Sequence, residues 1–124
     1  MKTIYPILIY DDAQAAMEFL ERAFGCERRE VHEGEKGGVA HAVLTCGDVF
    51  LMLSSKSEGD SVYNQVVGTT GVYVVVEETD ALFERAKQAG AEVVMEPTDQ
   101  DYGSRDFTVR DPEGNLWAFG TYGP

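Results

Sequence analysis

The chain contains no apolar run near the roughly 20 residues that a membrane-crossing helix needs, so no membrane partner is expected. Basic residues are few. Ten Lys and Arg stand against 22 Asp and Glu, for a net charge of -12 and a pI near 4.4. Such a surface repels phosphates, which excludes nucleic acid as a partner. The acidity either keeps a dissolved protein dissolved or concentrates a cationic ligand around it. Cysteine is scarce too: Cys26 and Cys46 lack the paired spacing of a zinc site, and read most simply as buried or half-buried thiols in a reducing compartment. After Lys2 the N-terminal residues alternate in polarity, without the apolar core of a secretory signal, so a cytoplasmic location is expected. Chemistry-bearing motifs are also missing. No nucleophile stands beside a base, residues 34–38 (GEKGG) lack the lysine and hydroxyl spacing of a phosphate loop, and residues 54–57 (SSKS) read as a turn.

What is present fills a core. Apolar residues make up 44% of 124, enough for one small domain. Comparing the chain with itself shows an internal repeat. Residues 3–10 (TIYPILIY) read as a strand. A helix then starts at Asp11, with Ala13, Ala16, Met17, Leu20, Ala23 and Phe24 on one face and Gly25 as its left-handed stop. Strands over residues 27–33, 38–46 and 48–55 follow, the last two joined tightly through Gly47-Asp48. The same order returns in residues 71–77, a helix capped by Thr79 and ended by Gly90, and strands over 92–96, 104–110 and 115–122. The expected organisation is α+β: two βαβββ modules (about 1–57 and 70–124) with a linker over 58–69. Each sheet can bury one face on its helix. The free faces would form a curved mixed sheet with an inter-sheet cleft, where a ligand is expected.

Residues 102–122, YGSRDFTVRDPEGNLWAFGTY, carry the sharpest local signal. Pro112 fixes φ at the first turn position, Asp111 can bond back to the turn backbone and Gly114 accepts a positive φ. Taken with the duplicated module, this hairpin resembles the closing hairpin of the glyoxalase/bleomycin resistance/dioxygenase proteins, the vicinal oxygen chelate superfamily. The opening Tyr-Gly-x-Arg and the segment HAVLTCGDVFLMLS are similar to its PhnB-like branch. In that superfamily the metal enzymes place one ligand on the first strand and one on the last strand of each module, usually His, Gln or Glu. Carried over by alignment, those positions fall on Tyr5, Leu51 (or Met52), Gly71 and Ala118. None of these offers an imidazole or carboxylate, so no metal and no other cofactor is expected.

Alternation along strands sorts the remaining residues. If Tyr5, Leu51, Gly71 and Ala118 face the cleft, so do Ile7, Val49, Leu53, Tyr73, Leu116 and Tyr122, while Phe50, Met52, Val72, Val74, Trp117 and Phe119 face the helices. His41 is either a hydrogen-bonded structural histidine or a ligand contact, and His32 is a solvated one. Arg105 is either half of a surface ion pair with Asp106 or a site residue. The candidate ligand-binding set is therefore Tyr5, Ile7, His41, Leu51, Leu53, Tyr73, Arg105, Ala118 and Tyr122. The function this supports is metal-independent capture of a small organic molecule, such as an aromatic antibiotic or toxic compound. A neutral-to-cationic aromatic ligand suits the tyrosines and the charge. The resemblance adds the expectation of a homodimer. The alternative is an enzyme of the same superfamily (a lyase, isomerase or dioxygenase) with a non-standard or absent metal site.

Overall fold

A computed structural model describes residues 4–34 and 38–123. The elements run β1 (Ile7–Tyr10), α1 (Ala13–Phe24), β2 (Glu27–Glu33), β3 (Val39–Cys46), β4 (Val49–Ser55), a 3₁₀ turn (Val62–Val66), β5 (Gly71–Val75), α2 (Thr79–Gln88), β6 (Glu92–Asp99), β7 (Arg105–Arg110) and β8 (Leu116–Gly120). They form two four-stranded sheets with the same order, β1-β4-β3-β2 and β5-β8-β7-β6. In each, one parallel pair is followed by two antiparallel ones. This is the duplicated α+β organisation that the repeat predicts. Within the chain the two sheets are hydrogen-bonded separately.

The helices explain how the modules meet. The apolar face of α1 buries Ala13, Ala16, Met17, Leu20, Ala23 and Phe24. Phe24 then reaches the second module, its ring centroid 5.0 Å from Trp117 and 4.7 Å from Phe119. Both modules thereby share one apolar core. The helix ends are satisfied across the module boundary. Arg85 of α2 donates from Nε to the carbonyl of Arg22 at 2.9 Å and from Nη2 to that of Glu21 at 3.1 Å. Arg22 of α1 donates back to the carbonyl of Ala89, which ends α2, at 3.2 Å. Each arginine meets last-turn carbonyls at the negative end of the other helix. Gly25 is required by its φ of +74°, and a Cβ there would also crowd Arg85 Nη1 at 3.0 Å.

The N-terminus of α1 differs from the sequence reading. Asp12, not Asp11, is the cap, its Oδ1 accepting from Ala15 N at 3.0 Å. The amides of Asp11 and Asp12 donate instead to the carboxylate of Glu113, at 2.5 and 2.8 Å. Thr79 is the first residue of α2 rather than its cap, and its hydroxyl donates to the carbonyl of Arg105 at 3.2 Å. β1 begins at Ile7; Thr3, in the anticipated strand, and residues 35–37 of the GEKGG loop lie outside the described residues.

The DPEGN hairpin serves as the clamp between modules. Asp111 Oδ1 accepts from the amides of Glu113 and Asn115, at 3.0 and 3.1 Å, closing the turn as its sequence predicts. Its Oδ2 accepts from Tyr10 of β1 at 2.7 Å, and from Asn115 Nδ2 and Trp117 Nε1, both at 3.1 Å. Burial and the adjacent Asp111 charge push the Tyr10 phenol up, so it stays a hydrogen-bond donor at any ordinary pH.

The cysteines are not free thiols. Cys26 and Cys46 are joined in a disulfide, each only 3% exposed. Their positions, just beyond the Glu27–Thr45 pair of the β2–β3 ladder, bring the two Cα atoms to 4.3 Å.

Candidate functional site

The open face of the first sheet follows from its register. The two-residue turn Gly47-Asp48 pairs Cys46 with Val49, Leu44 with Leu51 and Ala42 with Leu53. Directly paired residues share a sheet face, and Ala42, Leu44 and Cys46 are buried in the core. Leu51 and Leu53 are therefore core residues, each 1% exposed; the predicted place of Leu51 in the cleft is corrected, while Leu53 still borders the groove over this face. Phe50, Met52 and Ser54 take the open face instead. Met52 pairs with Ile7 of β1 and Val43 of β3. Tyr5, just before β1, packs edge-on against Phe50 at 5.8 Å.

A groove of about 750 Å³ lies over this face. Ile7, Ile9 and Met52 form an apolar floor, His41 and Ser54 stand beside it, and the segment after β4 closes one end with Ser57, Tyr63 and Asn64. That segment is held by Asn64, whose side chain accepts from Ser57 N at 3.0 Å and donates to the Ser57 carbonyl at 2.8 Å. Ile7 and His41 are thus brought together as the sequence anticipated. The linker's part was not anticipated, because a polar stretch of Ser, Asp and Asn carries no periodicity. His32 pairs with His41 across β2 and β3, rings near parallel at 6.1 Å.

The second sheet presents a different cluster. Tyr73 of β5 pairs with Ala118 of β8, the arrangement that Ile7 and Met52 occupy in the first module. Trp117, Phe119 and Val74 are buried on the helix side, as alternation predicts. Asp106 of β7 pairs with Gly120 and is 4% exposed. Its carboxylate accepts from Tyr73 Oη at 2.8 Å, from Tyr102 Oη at 2.7 Å and from the Ser104 hydroxyl. Tyr122, beyond β8, donates its amide to Tyr73 Oη at 3.2 Å, and its ring meets that of Tyr102 edge-on at 5.5 Å. Gly120 makes this possible: a Cβ there would collide with Asp106 and with the Tyr73 hydroxyl.

Arg105 does not join this cluster. Its guanidinium reaches Asp80 of α2 at 2.9 Å and Asp99 of β6 at 3.1 Å, and these contacts raise its pKa. Successive residues of a strand point to opposite faces, so Asp106 looks into the open face while Arg105 looks away. Arg105 is therefore in a surface ion pair, as one of the two readings had it, but with Asp80 and Asp99 rather than Asp106, and it lies away from this cluster.

Burial opposes ionisation of Asp106, but the hydroxyls of Ser104, Tyr102 and Tyr73 outweigh it and hold the carboxyl below its usual range. In return, the hydrogen bond to Asp106, with some burial, pushes the Tyr102 phenol up to about 12. A group whose folded pKa is raised contributes stability that is complete below its unfolded pKa and is lost as pH rises through the folded one. The stability that the Tyr102–Asp106 bond contributes should be complete below about pH 10 and be lost between about pH 10 and 12. Titration of ring-labelled tyrosine by NMR should give Tyr102 a midpoint near 12, returning toward 10 in Asp106→Asn. An unshifted Tyr102 in the parent protein would show the bond to be absent.

The positions that hold metal in the metalloenzymes of this fold can now be judged on geometry. Tyr5, Met52, Gly71 and Ala118 offer a phenol, a thioether, a hydrogen and a methyl group, which do not fit a divalent ion that takes imidazole or carboxylate. Among the described residues no three His, Cys, Asp or Glu side chains are grouped to hold one, and no helix is long and apolar enough to cross a membrane.

Two βαβββ modules with open concave faces define a class, and comparison agrees. Residues 4–119 match the model of the Glyoxalase/Bleomycin resistance protein/Dioxygenase superfamily, and the chain belongs to that superfamily. Its relatives include the uncharacterized protein Mb0911c of Mycobacterium bovis, 35% identical over 93% of this chain and 80% of the relative. Uncharacterized protein Rv0887c of Mycobacterium tuberculosis is also 35% identical, over 93% of this chain and 71% of its own length. Among solved structures, TioX from Micromonospora sp. ML1 superposes with a TM-score of 0.77 at 31% identity, covering 95% of this chain and 98% of TioX. The fosfomycin resistance protein FosX of Listeria monocytogenes, complexed with Mn(II) and sulfate, shares the fold: TM-score 0.69, 18% identity, covering 95% and 87%.

Proposed function

We propose that this protein is a metal-independent binder of small organic molecules, of the kind that sequesters an aromatic antibiotic or other toxic compound in the cytoplasm. The observation that carries the reading is the groove over the first sheet, with its apolar floor of Ile7, Ile9 and Met52 and a polar rim that includes His41, Ser54, Ser57, Tyr63 and Asn64. Apolar walls supply affinity and a few placed donors supply orientation. The residues at the superfamily's metal positions give a Lewis acid nothing to bind, which favours capture over catalysis. Burial of both disulfide sulfurs fits a bond that survives among cytoplasmic reductants, because exchange requires access to sulfur.

The functional unit in this reading is a homodimer. β1 and β5 both end their sheets, and Ile4, Tyr5, Ile7, Tyr73 and Val75 on or beside them are exposed. A second copy related by a two-fold axis sets β1 beside the partner's β5 and β5 beside the partner's β1, covering both at once. Each cleft then combines a first-sheet face with a second-sheet face. Light scattering at micromolar concentration should return twice 13.7 kDa; a mass equal to one chain overturns the dimer.

The binding reading is tested by titrating quinoline- and quinoxaline-type compounds while following backbone amides in EDTA. Shifts should centre on His41, Met52 and Ser54 with affinity unchanged by the chelator. His41→Ala should weaken the best binder by about 0.5–1.5 kcal/mol, the worth of one hydrogen bond, and Tyr73→Ala by roughly 1–3 kcal/mol. Binding that disappears in EDTA, or that leaves these amides unmoved, defeats the proposal.

A further inference from the structure

Asp106 has no evident structural reason to be an acid. It lies on the open face of the second sheet, 4% exposed, and no Lys or Arg among the described residues pairs with it. The adjacent cation, Arg105, is committed to Asp80 and Asp99 on the other side. A buried carboxylate without a counter-ion is costly, and hydroxyl donors offset only part of that cost. The chain nevertheless arranges four residues to keep it. Ser104, Tyr73 and Tyr102 donate to it, and Gly120 leaves out the side chain that would displace it. The tyrosines that orient the carboxylate are themselves exposed, as is Tyr122, which packs edge-on against Tyr102. Phenol rings around a fixed negative charge form a cage for an organic cation, since ring faces and carboxylate attract the same partner.

We propose that Tyr73, Tyr102, Tyr122 and Asp106 form a subsite for the ammonium group of an organic cation. It rests on the reading of the protein as a small-molecule binder and assigns the charged end of the ligand to the second sheet. The preference extends to quaternary ammonium groups, which cannot donate hydrogen bonds and rely on ring faces and charge. Asp106 keeps its three hydroxyl donors and acts on such a cation through its field. The net charge of -12 draws cations toward the cleft before they dock. His41 holds the matching place in the first module: it lies two residues before Val43, which pairs with Met52, as Asp106 lies two before Thr108, which pairs with Ala118. The two halves of the cleft thus present different polar groups at equivalent positions.

The probe is benzyltrimethylammonium, with benzoate as its anionic counterpart, titrated into the intact protein while backbone amides are followed. The cation should shift the amides of Gly120 and Tyr122 and bind at least about tenfold tighter than benzoate. Tyr122→Ala removes one ring without touching the hydrogen bonds of Asp106, and should weaken the cation about 3- to 30-fold while leaving benzoate unchanged. Asp106→Asn should weaken it as much or more; because this change risks the local fold, Tyr122→Ala is the deciding variant. Equal affinity for cation and anion, or Tyr122→Ala without effect, overturns the subsite. If aromatic probes shift only the His41 face, the subsite fails and the binding function stands. If no probe shifts either face, both fail.

Discussion

Asp111→Ala should lower the stability of the folded chain by about 3–5 kcal/mol. The reason is the number of buried donors that share this carboxylate. Tyr10 Oη, Asn115 Nδ2 and Trp117 Nε1 all donate to Oδ2, while two turn amides donate to Oδ1. Asp111 is 4% exposed, and Tyr10 and Trp117 are fully buried, so water cannot replace the lost acceptor. A buried donor left without a partner costs about 1–3 kcal/mol. Tyr10→Phe removes one donor and leaves the rest satisfied, so it should cost only about 1 kcal/mol. The pair of variants separates loss of the network from loss of one bond. Urea denaturation followed by Trp117 fluorescence measures both. If Asp111→Ala costs no more than Tyr10→Phe, the carboxylate is not the clamp that joins the modules.

The same hairpin shows how much of the molecule is legible in its sequence. Its turn chemistry is legible because Asp-Pro-Glu-Gly-Asn acts on its own backbone within five residues. Its second role is not. That Asp111 reaches Tyr10, and Glu113 the amides at 11 and 12, depends on how two modules dock, which no local pattern encodes. The repeat, the helices and the helix side of the second sheet are legible through periodicity. Within the first sheet β4 comes out shifted by one residue, although the information is there. In β3, His41 and Thr45 alternate with Ala42, Leu44 and Cys46, and a two-residue turn forces Leu44 opposite Leu51. That fixes Leu51 and Leu53 inside and Met52 and Ser54 outside. Remote ligand positions, used in place of this pairing, give the wrong face. Arg105 and Asp106 are exchanged for a similar reason: their facing follows from pairing Thr108 with Ala118 and Asp106 with Gly120, which puts the acid toward Tyr73. The cluster at Asp106 has a sequence signal in Tyr102, Ser104 and Asp106 at alternate positions, but Gly120 is identified only by what a side chain there would strike.

Reducing the Cys26–Cys46 bond should destabilise the protein by about 3 kcal/mol, the expected worth of closing a loop of this size in the unfolded chain; the two cysteines are 20 residues apart. Nothing in their spacing announces the bond. The ladder between β2 and β3 shifts register at Arg28/Glu30 and again at His32/Glu33, so the pairing cannot be counted out from the turn. The bond pins the end of the ladder beyond these shifts, where β2 leaves the C-terminus of α1 and β3 enters the Gly47-Asp48 turn. β2 is exposed along its whole length, which leaves it little apolar burial to hold it in register. The disulfide therefore matters most to β2, and through β3 to the placement of His41 over the groove. With a urea dependence of about 1–3 kcal/mol per molar, reductant should move the unfolding midpoint down by roughly 1–3 M. The double substitution Cys26→Ala and Cys46→Ala should start at the lower midpoint and ignore reductant. Hydrogen exchange should quicken first in β2, before β4 or β8. Two titratable thiols in protein purified without reductant, or one midpoint with and without it, would show that the bond does not hold this edge.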